Sequence, residues 1–157
     1  MTTFTVRRLR PGDEAALERV AHDETDFTGE EPVPPLSFHD ARAYLSDPQV
    51  WHWHAEDEHG DPVGFLMAHV HRSRHGTARH VMFDEIGVRE VWRRRGVGRV
   101  LVAALHDQMR REGISLVWVL ADNDGAQAFY EAAGYAVTDL QGVMLEREVQ
   151  VDQQNDC

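Results

Sequence analysis

The segment Arg93-Arg94-Arg95-Gly96-Val97-Gly98 stands between an apolar strand-like stretch, Val81 to Val88, and a strongly periodic helix, Val97 to Glu112. Backbone N–H groups at a helix start, beside glycines that lack a Cβ, form a site for an anion, and guanidinium groups match phosphate oxygens. The run Leu116 to Leu120 is continuously apolar, which is typical of a strand buried on both faces. These residues therefore predict a right-handed parallel crossover that carries a phosphate-binding loop.

The spacing within this loop excludes two common phosphate sites. No Gly-x4-Gly-Lys-Ser/Thr run occurs, and Leu101 stands where a dinucleotide fingerprint needs its third glycine. The remaining pattern is Arg-x-x-Gly-x-Gly, with Arg93, Gly96 and Gly98 in its defining places. Alone, the hexapeptide fits a solvated, arginine-rich turn equally well.

Composition limits the classes of partner. The 157 residues suit one domain, and the formal net charge of −11 argues against nucleic acid, whose phosphates need a basic face. The charge favours a cationic partner, although solubility alone also explains an acidic surface. Cys157 is the only cysteine, so we expect no disulfide and no cysteinyl acyl-enzyme. With no apolar signal or membrane-spanning stretch, we expect a cytoplasmic protein without a membrane partner.

Periodicity and turn residues predict the other elements. Residues 23–35 are acidic and then proline-rich, which predicts an irregular loop. Predicted strands are Phe4 to Leu9, Val50 to Ala55, Val63 to His71, Val81 to Val88 and Leu116 to Leu120, with a final hairpin of Tyr135 to Thr138 and Val143 to Glu148 around Gln141-Gly142; helices follow Asp13, Ser37, Gly96 and Asn123.

A second motif follows the crossover. Asn123 precedes Ala126, the pair Phe129-Tyr130 and the pair Gly134-Tyr135. Together with the arginine–glycine loop, this motif resembles the acyl-CoA motifs of the GNAT (Gcn5-related) N-acetyltransferase superfamily, over about residues 4–149. The resemblance implies an α/β fold with a central, mostly antiparallel sheet, in which the parallel fourth and fifth strands splay apart to admit acetyl-CoA. It implies a single domain over residues 1–149 and a polar tail, residues 150–157, that we expect to be disordered.

The resemblance also implies which residues hold the cosubstrate. We expect the strand before the loop to pair with the pantetheine arm, the loop to bind the pyrophosphate, and Asn123 to contact the arm. The expected acetyl-CoA contacts are Ile86, Gly87, Val88, Arg93, Arg94, Arg95, Gly96, Val97, Gly98, Arg99, Asn123 and Tyr130.

Within the superfamily the chain looks most like the aminoglycoside 3-N-acetyltransferases of GNAT type, on the stretches 83–88, 117–122 and 143–144. Glu85 stands where that family usually has Asp, and the loop 122–125 is shorter than usual. A carboxylate near a protonated amine can bind the cation and accept its proton, so Glu85 is the candidate base. By resemblance, Tyr130 is the candidate acid that protonates the CoA thiolate.

Acidic residues are the candidates for binding the acceptor. Asp23, Glu24, Asp26, Glu30 and Glu31 crowd one loop, and with Asp122 and Asp124 they can form an anionic funnel for a small cationic amine. Each residue taken singly also fits a solvated acidic surface. We select Glu85, Asp122, Asp124, Asp26 and Glu30 as acceptor-binding residues.

The pairs His52/His54 and His69/His71 have the spacing of strand neighbours on one face. No cysteine supports a metal site, so we expect partly exposed histidines and no metal. The primary hypothesis is acetyl transfer to a small polycationic amine, with an aminoglycoside as one candidate acceptor. A polyamine, an amino-acid derivative, a peptide N-terminus, and a non-catalytic acyl-CoA sensor remain as alternatives. Relatives commonly form homodimers, for which the last hairpin is a plausible interface.

Overall fold

Five strands form one mixed sheet in sequence order in the computed structural model, which describes residues 3–74, 79–140 and 142–151. Neighbouring strands are antiparallel except the last pair, which is parallel. The strands are β1 (Phe4–Arg8), β2 (Val50–Asp57), β3 (Pro62–Arg72), β4 (Arg79–Val88) and β5 (Val117–Val119); the helices are α1 (Glu14–His22), α2 (Glu24–Thr28), α3 (Phe38–Ser46), α4 (Val97–Glu112) and α5 (Asp124–Ala132), with a 3-10 turn at Glu90–Trp92.

Helix α4 covers one face of the sheet and forms the larger core with it. Its bounds are those that the sequence predicts, because a long apolar stripe marks its length and Gly113 ends it at a φ of 68°. Leu101, Val102 and Leu105 are buried, whereas Val100 is 43% exposed. The core they join includes Trp51, Trp53, Leu66, Phe83 and Tyr130.

Helices α1, α2 and α3 cover the opposite face. Phe27 of α2 packs edge-on against Phe65 of β3, and Val20 of α1 completes this smaller cluster. The loop predicted over residues 23–35 is therefore wrong in its first part, since Glu24–Thr28 is helical. Five residues are too few to show a helical period in the sequence.

The C-terminal part differs most from expectation. Residues 136–140 and 142–151 contain no strand, so the predicted hairpin is wrong for them; Gln141 and residues 152–157 lie outside the described residues. Strand β5 is accordingly an edge strand: Leu116 is 46% exposed and Trp118 is 39% exposed, which corrects the expected burial on both faces. An apolar run indicates a strand but not the neighbour that must pair with it.

No helix within the described ranges is long and apolar enough to cross a membrane.

Candidate functional site

A gap opens between β4 and β5. The two strands pair over only three residue pairs, Val81–Val117 to Phe83–Val119, while β4 continues to Val88. The β4 edge from residue 84 to residue 88 therefore has no β5 residue paired with it. Free strand edges offer backbone N–H and C=O groups to an extended ligand, and Ile86, Gly87 and Val88 lie on this edge.

The arginine–glycine loop lies at the end of this gap. Gly96 is the N-terminal cap residue of α4 with a φ of 84°, and Arg94 also has a positive φ, 60°. Such conformations in a non-glycine residue concentrate at functional sites. Arg93, Arg94, Arg95 and Arg99 are exposed around the helix start, whose first N–H groups lack intrahelical partners. The loop and the helix start therefore suit a pyrophosphate.

Glycine is favoured at the two loop positions, 96 and 98, for different physical reasons. Gly96 has open space where a Cβ would stand, so its positive φ is what favours glycine. A Cβ on Gly98 would lie 3.1 Å from the Phe129 ring of α5. Gly98 thus allows α5 to pack on α4, a structural reason that stands beside its predicted close approach to phosphate. Gly87 is similar, since a Cβ there would lie 2.5 Å from the Phe65 ring.

A β-bulge at Asp84 turns Glu85 to the face that α1, α2 and α3 cover. Ala68 is paired with Phe83 and Met67 is paired with Glu85, which leaves Asp84 as the extra residue. Phe83 consequently points into the α4 core, whereas Glu85 does not. Bulges often re-aim a side chain next to an active site.

Glu85 has the perturbed acidity of a candidate base. Burial, followed by the negative charges of Glu24, Glu30 and Asp84, raises the pKa of Glu85 to about 7. A carboxylate with a pKa close to neutrality accepts a proton more readily than an ordinary glutamate. The structure therefore brings Glu85 and Glu30 together, as the funnel hypothesis requires, and adds Glu24, a buried residue of α2 that we did not select from the sequence.

Asp26 has a different partner from the one expected. Its carboxylate accepts a hydrogen bond from Nη1 of Arg89 at 2.9 Å, and Asp23 accepts one from Nη2 of Arg89 at 2.7 Å. The Arg89 guanidinium, which also lies 4.5 Å from the Phe27 ring centroid, lowers the pKa of Asp26. These two carboxylates anchor α2 to the end of β4, which gives Asp26 a structural role beside its predicted contact with the acceptor. Arg89 has no motif that marks it in the sequence.

Arg93 links the phosphate loop to the same helix. Its Nε donates to the Val88 carbonyl at 3.1 Å and its Nη2 to the Phe27 carbonyl at 3.4 Å. Arg89 and Arg93 therefore tie α2, which carries Glu24, to the strand and loop on the cosubstrate side.

Tyr130 lies on the other face, against Phe83 at a ring-centroid distance of 5.4 Å. Burial, followed by the charges of Asp122 and Glu85, raises the pKa of Tyr130, so the phenol keeps its proton. The charge of Glu85, the expected proton acceptor, thus acts on the phenol of Tyr130, the expected proton donor. Their roles remain expectations that the geometry makes feasible.

Asn123 caps helix α5. Its Oδ1 accepts from the Ala126 N–H at 2.8 Å, and its Nδ2 donates to Asp122 at 2.8 Å. These contacts give Asn123 a structural reason besides the predicted contact with the pantetheine arm. Asp122 and Asp124 are exposed at the start of α5.

Two of the four strand histidines, His52 and His54, are more buried than expected, whereas His69 is partly exposed and His71 is exposed. His52 and His54 are 6% and 0% exposed, because both point between the sheet and α1 to α3. Burial lowers the pKa of His54 to about 4, and it lowers the pKa of His52 still more clearly. Across the described residues there is no group of three or more His, Cys, Asp or Glu side chains placed to hold a metal ion.

A groove of about 500 Å³ lies elsewhere, between β1 and α4. Arginines line it, among them Arg8, whose guanidinium lies 5.6 Å from the Trp51 ring centroid. Neither of the expected catalytic residues, Glu85 and Tyr130, lines this groove.

Comparison with known proteins gives the same architecture. The model of the acetyltransferase (GNAT) family matches residues 17–135. No curated protein matches the sequence. A solved aminoglycoside acetyltransferase, meta-AAC0020 from an uncultured soil metagenomic sample, in complex with sisomicin, is 20% identical with a TM-score of 0.78, over 94% of this chain and 97% of that one.

Two further solved structures share the fold. The ribosomal-protein-alanine N-acetyltransferase from Brucella melitensis biovar Abortus 2308 is 17% identical with a TM-score of 0.72, over 93% of this chain and 100% of that one. The aminoglycoside N-acetyltransferase AAC(6')-Iy in complex with CoA is 17% identical with a TM-score of 0.74, over 94% of this chain and 96% of that one. Identities this low show the fold alone. The family match spans well over half of the chain, which therefore belongs to the acetyltransferase (GNAT) family and has the α/β fold that its sequence predicts.

Proposed function

We propose that the protein transfers the acetyl group of acetyl-CoA directly to a primary amine of a small polycationic acceptor, with an aminoglycoside as the favoured class and its 3-amino group as the favoured position. The observation that carries this proposal is Glu85. It is a half-buried carboxylate with a pKa of about 7, beside the carboxylates of Glu24 and Glu30 and at the edge of the β4–β5 gap. A binding module without chemistry has no need of such a base.

The carboxylates act on the acceptor before and during the reaction. Glu24 and Glu30 attract the ammonium group, whose positive charge in turn favours the ionised form of Glu85. Glu85 then takes the proton that the amine must lose, directly or through a water molecule, so that its lone pair can attack the thioester carbon. A neutral amine is scarce otherwise, because an alkyl ammonium with a pKa of about 10.4 keeps its proton at neutral pH.

The cosubstrate side supplies binding and a proton. Bound acetyl-CoA supplies an activated acetyl group as a thioester. The arginine–glycine loop would hold its pyrophosphate and the free edge of β4 would align its arm, with a backbone N–H near Ile86 to Val88 facing the developing oxyanion. Tyr130 would give its proton to the thiolate sulfur as the carbon–sulfur bond breaks.

Direct transfer is supported by the scarcity of thiol and amine nucleophiles in the sequence. The only cysteine is the terminal Cys157, and all 16 basic residues are arginine, so no lysine amine is present to accept acetyl groups. After incubation with acetyl-labelled acetyl-CoA and no acceptor, the protein should carry no covalent label at an internal residue. Stoichiometric label on a side chain would contradict direct transfer.

The test of the acceptor is the release of CoA thiol from acetyl-CoA with a panel of amines: kanamycin B, spermidine, free amino acids and an alanine-initiated peptide. We expect turnover with kanamycin B, and NMR of the product should place the acetyl group on the 3-amino position. Acetylation at the 6′-amino group would keep the substrate class and overturn the position. Turnover only with other amines would overturn the aminoglycoside proposal.

A peptide N-terminus is the second candidate acceptor, because one solved structure with this fold is a ribosomal-protein-alanine N-acetyltransferase. A peptide carries one reacting ammonium group, whereas the three carboxylates around Glu85 suit several positive charges. Comparing kcat/KM for the peptide and for kanamycin B decides between the two acceptors.

A further inference from the structure

A tyrosine–histidine pair lies on the face of the sheet that carries Glu85, and the proposed proton transfers do not use it. Tyr44 of α3 and His52 of β2 are joined by a hydrogen bond of 2.9 Å between the phenol oxygen and Nδ1 of the imidazole. Their rings meet edge-on, at an interplanar angle of 81°. His52 is 6% exposed and Tyr44 is partly exposed, so a buried imidazole holds a phenol that solvent can still reach.

The strand register places this pair in the same row as Glu85. His52 is paired with Met67 of β3, and Met67 is paired with Glu85 of β4. Directly opposed residues share a face, and two strand spacings are about 10 Å. Tyr44 of α3 packs edge-on against the His52 ring and therefore lies above this row. Burial, followed by the charges of Asp84 and Glu85, raises the pKa of Tyr44, so its hydroxyl stays protonated.

The burial of His52 indicates which partner donates in the hydrogen bond between Tyr44 and His52. Within the described part of the chain, Nε2 of His52 is buried and has no hydrogen-bond partner. If Nε2 carried the proton, a buried N–H would be left unpaired beside the stacked Phe65 ring. Orphaned buried N–H groups are rarer than under-satisfied acceptors. The neutral imidazole therefore carries its proton on Nδ1 and donates it to the Tyr44 oxygen.

A phenol that accepts from His52 still has its own proton to donate. That proton is directed away from His52, on the face of the sheet that carries Glu85. A bound amine needs its lone pair for attack, so a donor here suits an oxygen of the acceptor and not the reacting nitrogen. This reasoning rests on the proposed function and adds a substrate preference to it.

We propose that Tyr44, oriented by His52, donates a hydrogen bond to a hydroxyl or ether oxygen next to the reacting amine, so that the site prefers oxygen-bearing amines such as amino sugars to plain polyamines. His52 is a positioning residue in this arrangement, and Tyr44 determines specificity. A site built to bond a substrate hydroxyl discriminates strongly against an analogue that lacks it, since its own polar group is then left unpaired.

Tyr44→Phe tests this preference with two acceptors that differ in oxygen content, kanamycin B and spermidine. We expect kcat/KM to fall by about 10-fold or more for kanamycin B and by less than about 3-fold for spermidine, because only the first has an oxygen to bond. Both acceptors are assayed with the same preparation of the variant. Partial unfolding then lowers kcat/KM equally for kanamycin B and spermidine, and it cancels in the ratio of the two values. Equal losses for the two acceptors would overturn the proposal.

His52 variants separate orientation from packing. His52→Asn keeps an N–H near the Nδ1 position and should retain the preference for kanamycin B within about 3-fold, whereas His52→Leu fills the space without a donor and should lose the preference as Tyr44→Phe does. Loss of the preference in both variants, with folding intact by circular dichroism, would contradict the positioning role.

Nitrogen-15 NMR of the histidine rings gives a readout that needs no turnover. We expect His52 to be neutral at pH 6, with its proton on Nδ1, and its Nδ1 signal to shift in Tyr44→Phe. A proton on Nε2 would overturn the inference whatever the kinetics show. If the wild-type protein acetylates neither acceptor, the proposed function fails by itself, and this spectrum alone then decides whether Tyr44 is presented as a donor.

Discussion

The raised pKa of Glu85 lowers the stability of the folded protein when this carboxyl group is ionised. Its pKa of about 7 lies above the ordinary value of 4.5, so the fold favours the protonated carboxyl. The contribution of this residue to stability is complete below pH 4.5 and is lost as the pH rises through 7. A base held ready for an amine therefore destabilises the free protein at neutral and higher pH.

Glu85→Gln should consequently be more stable than the wild type at pH 8. We expect the free energy of unfolding to rise by on the order of 1 kcal/mol, since water screens a half-exposed carboxylate and reduces the full effect. Urea unfolding at pH 5 and pH 8 measures the change, which should be larger at pH 8. Glu58→Gln, at an exposed hairpin position, is the control; an equal gain in both variants would contradict the burial of Glu85 as the cause.

His54 gives a second residue-level prediction, in which stability falls as the pH falls and not as it rises. Its folded pKa of about 4 lies below the ordinary 6.5, so the unfolded chain binds more protons between these values and stability falls as the pH falls. Both ring nitrogens are buried without a hydrogen-bond partner among the described residues. An unpaired buried polar group costs about 1–3 kcal/mol.

His54→Leu removes both effects. We expect equal or greater stability at pH 7 and a pH dependence between 6.5 and 4 that is shallower by up to about 1.4 kcal/mol per pH unit. Thermal unfolding over this range measures it, with His39→Gln as an exposed control. An unchanged slope would show that His54 is charged or hydrated in the folded protein.

At the scale of elements, the packing of α5 on α4 depends on Gly98. A Cβ there would press on Phe129, whereas the loop conformation itself depends on Gly96. Gly98→Ala should destabilise the protein by about 1–2 kcal/mol and raise the KM for acetyl-CoA, because overpacking shifts the helix start that holds the loop.

A double-mutant cycle distinguishes this cause from phosphate contact. Phe129→Leu provides space for the new methyl group, so the double variant should recover most of the stability and of the KM that Gly98→Ala loses. If stability recovers but the KM for acetyl-CoA does not, the result would instead indicate that Gly98 allows the backbone to approach the phosphate closely. In Gly96→Ala the positive φ is strained, and Phe129→Leu should not rescue it.

The same elements show what the sequence alone could predict. Helix α4 was predictable to the residue because its stripe is long and glycines stand at both ends. Glu85 was identifiable from its place before the loop, with a family motif as guide. The effect of Glu24 on Glu85, the ion pairs of Arg89 with Asp23 and Asp26, and the Tyr44–His52 pair were not, because each joins distant parts of the chain and only the packing of α2 and α3 brings them together. The final hairpin failed for the same reason, since pairing is not a local property.

For the whole molecule, charge should control access of the acceptor. The net charge of −11 and the carboxylates around Glu85 attract polycations over distances that salt screens. The KM for kanamycin B should rise by roughly threefold or more as ionic strength increases from about 20 mM to about 300 mM. A singly charged amine serves as the comparison and should respond less. A KM for kanamycin B that does not depend on salt would contradict an anionic funnel.

The central claim is that Glu85 accepts the proton of the amine, and the pH dependence of kcat/KM tests it most directly. The wild-type profile should rise through an apparent pKa of about 7, and Glu24→Gln should move this rise to lower pH because one raising charge is removed. Glu85→Gln should lower kcat/KM by about 100-fold or more and abolish the rise. A Glu85→Gln variant with nearly wild-type activity and an unchanged profile would contradict the account.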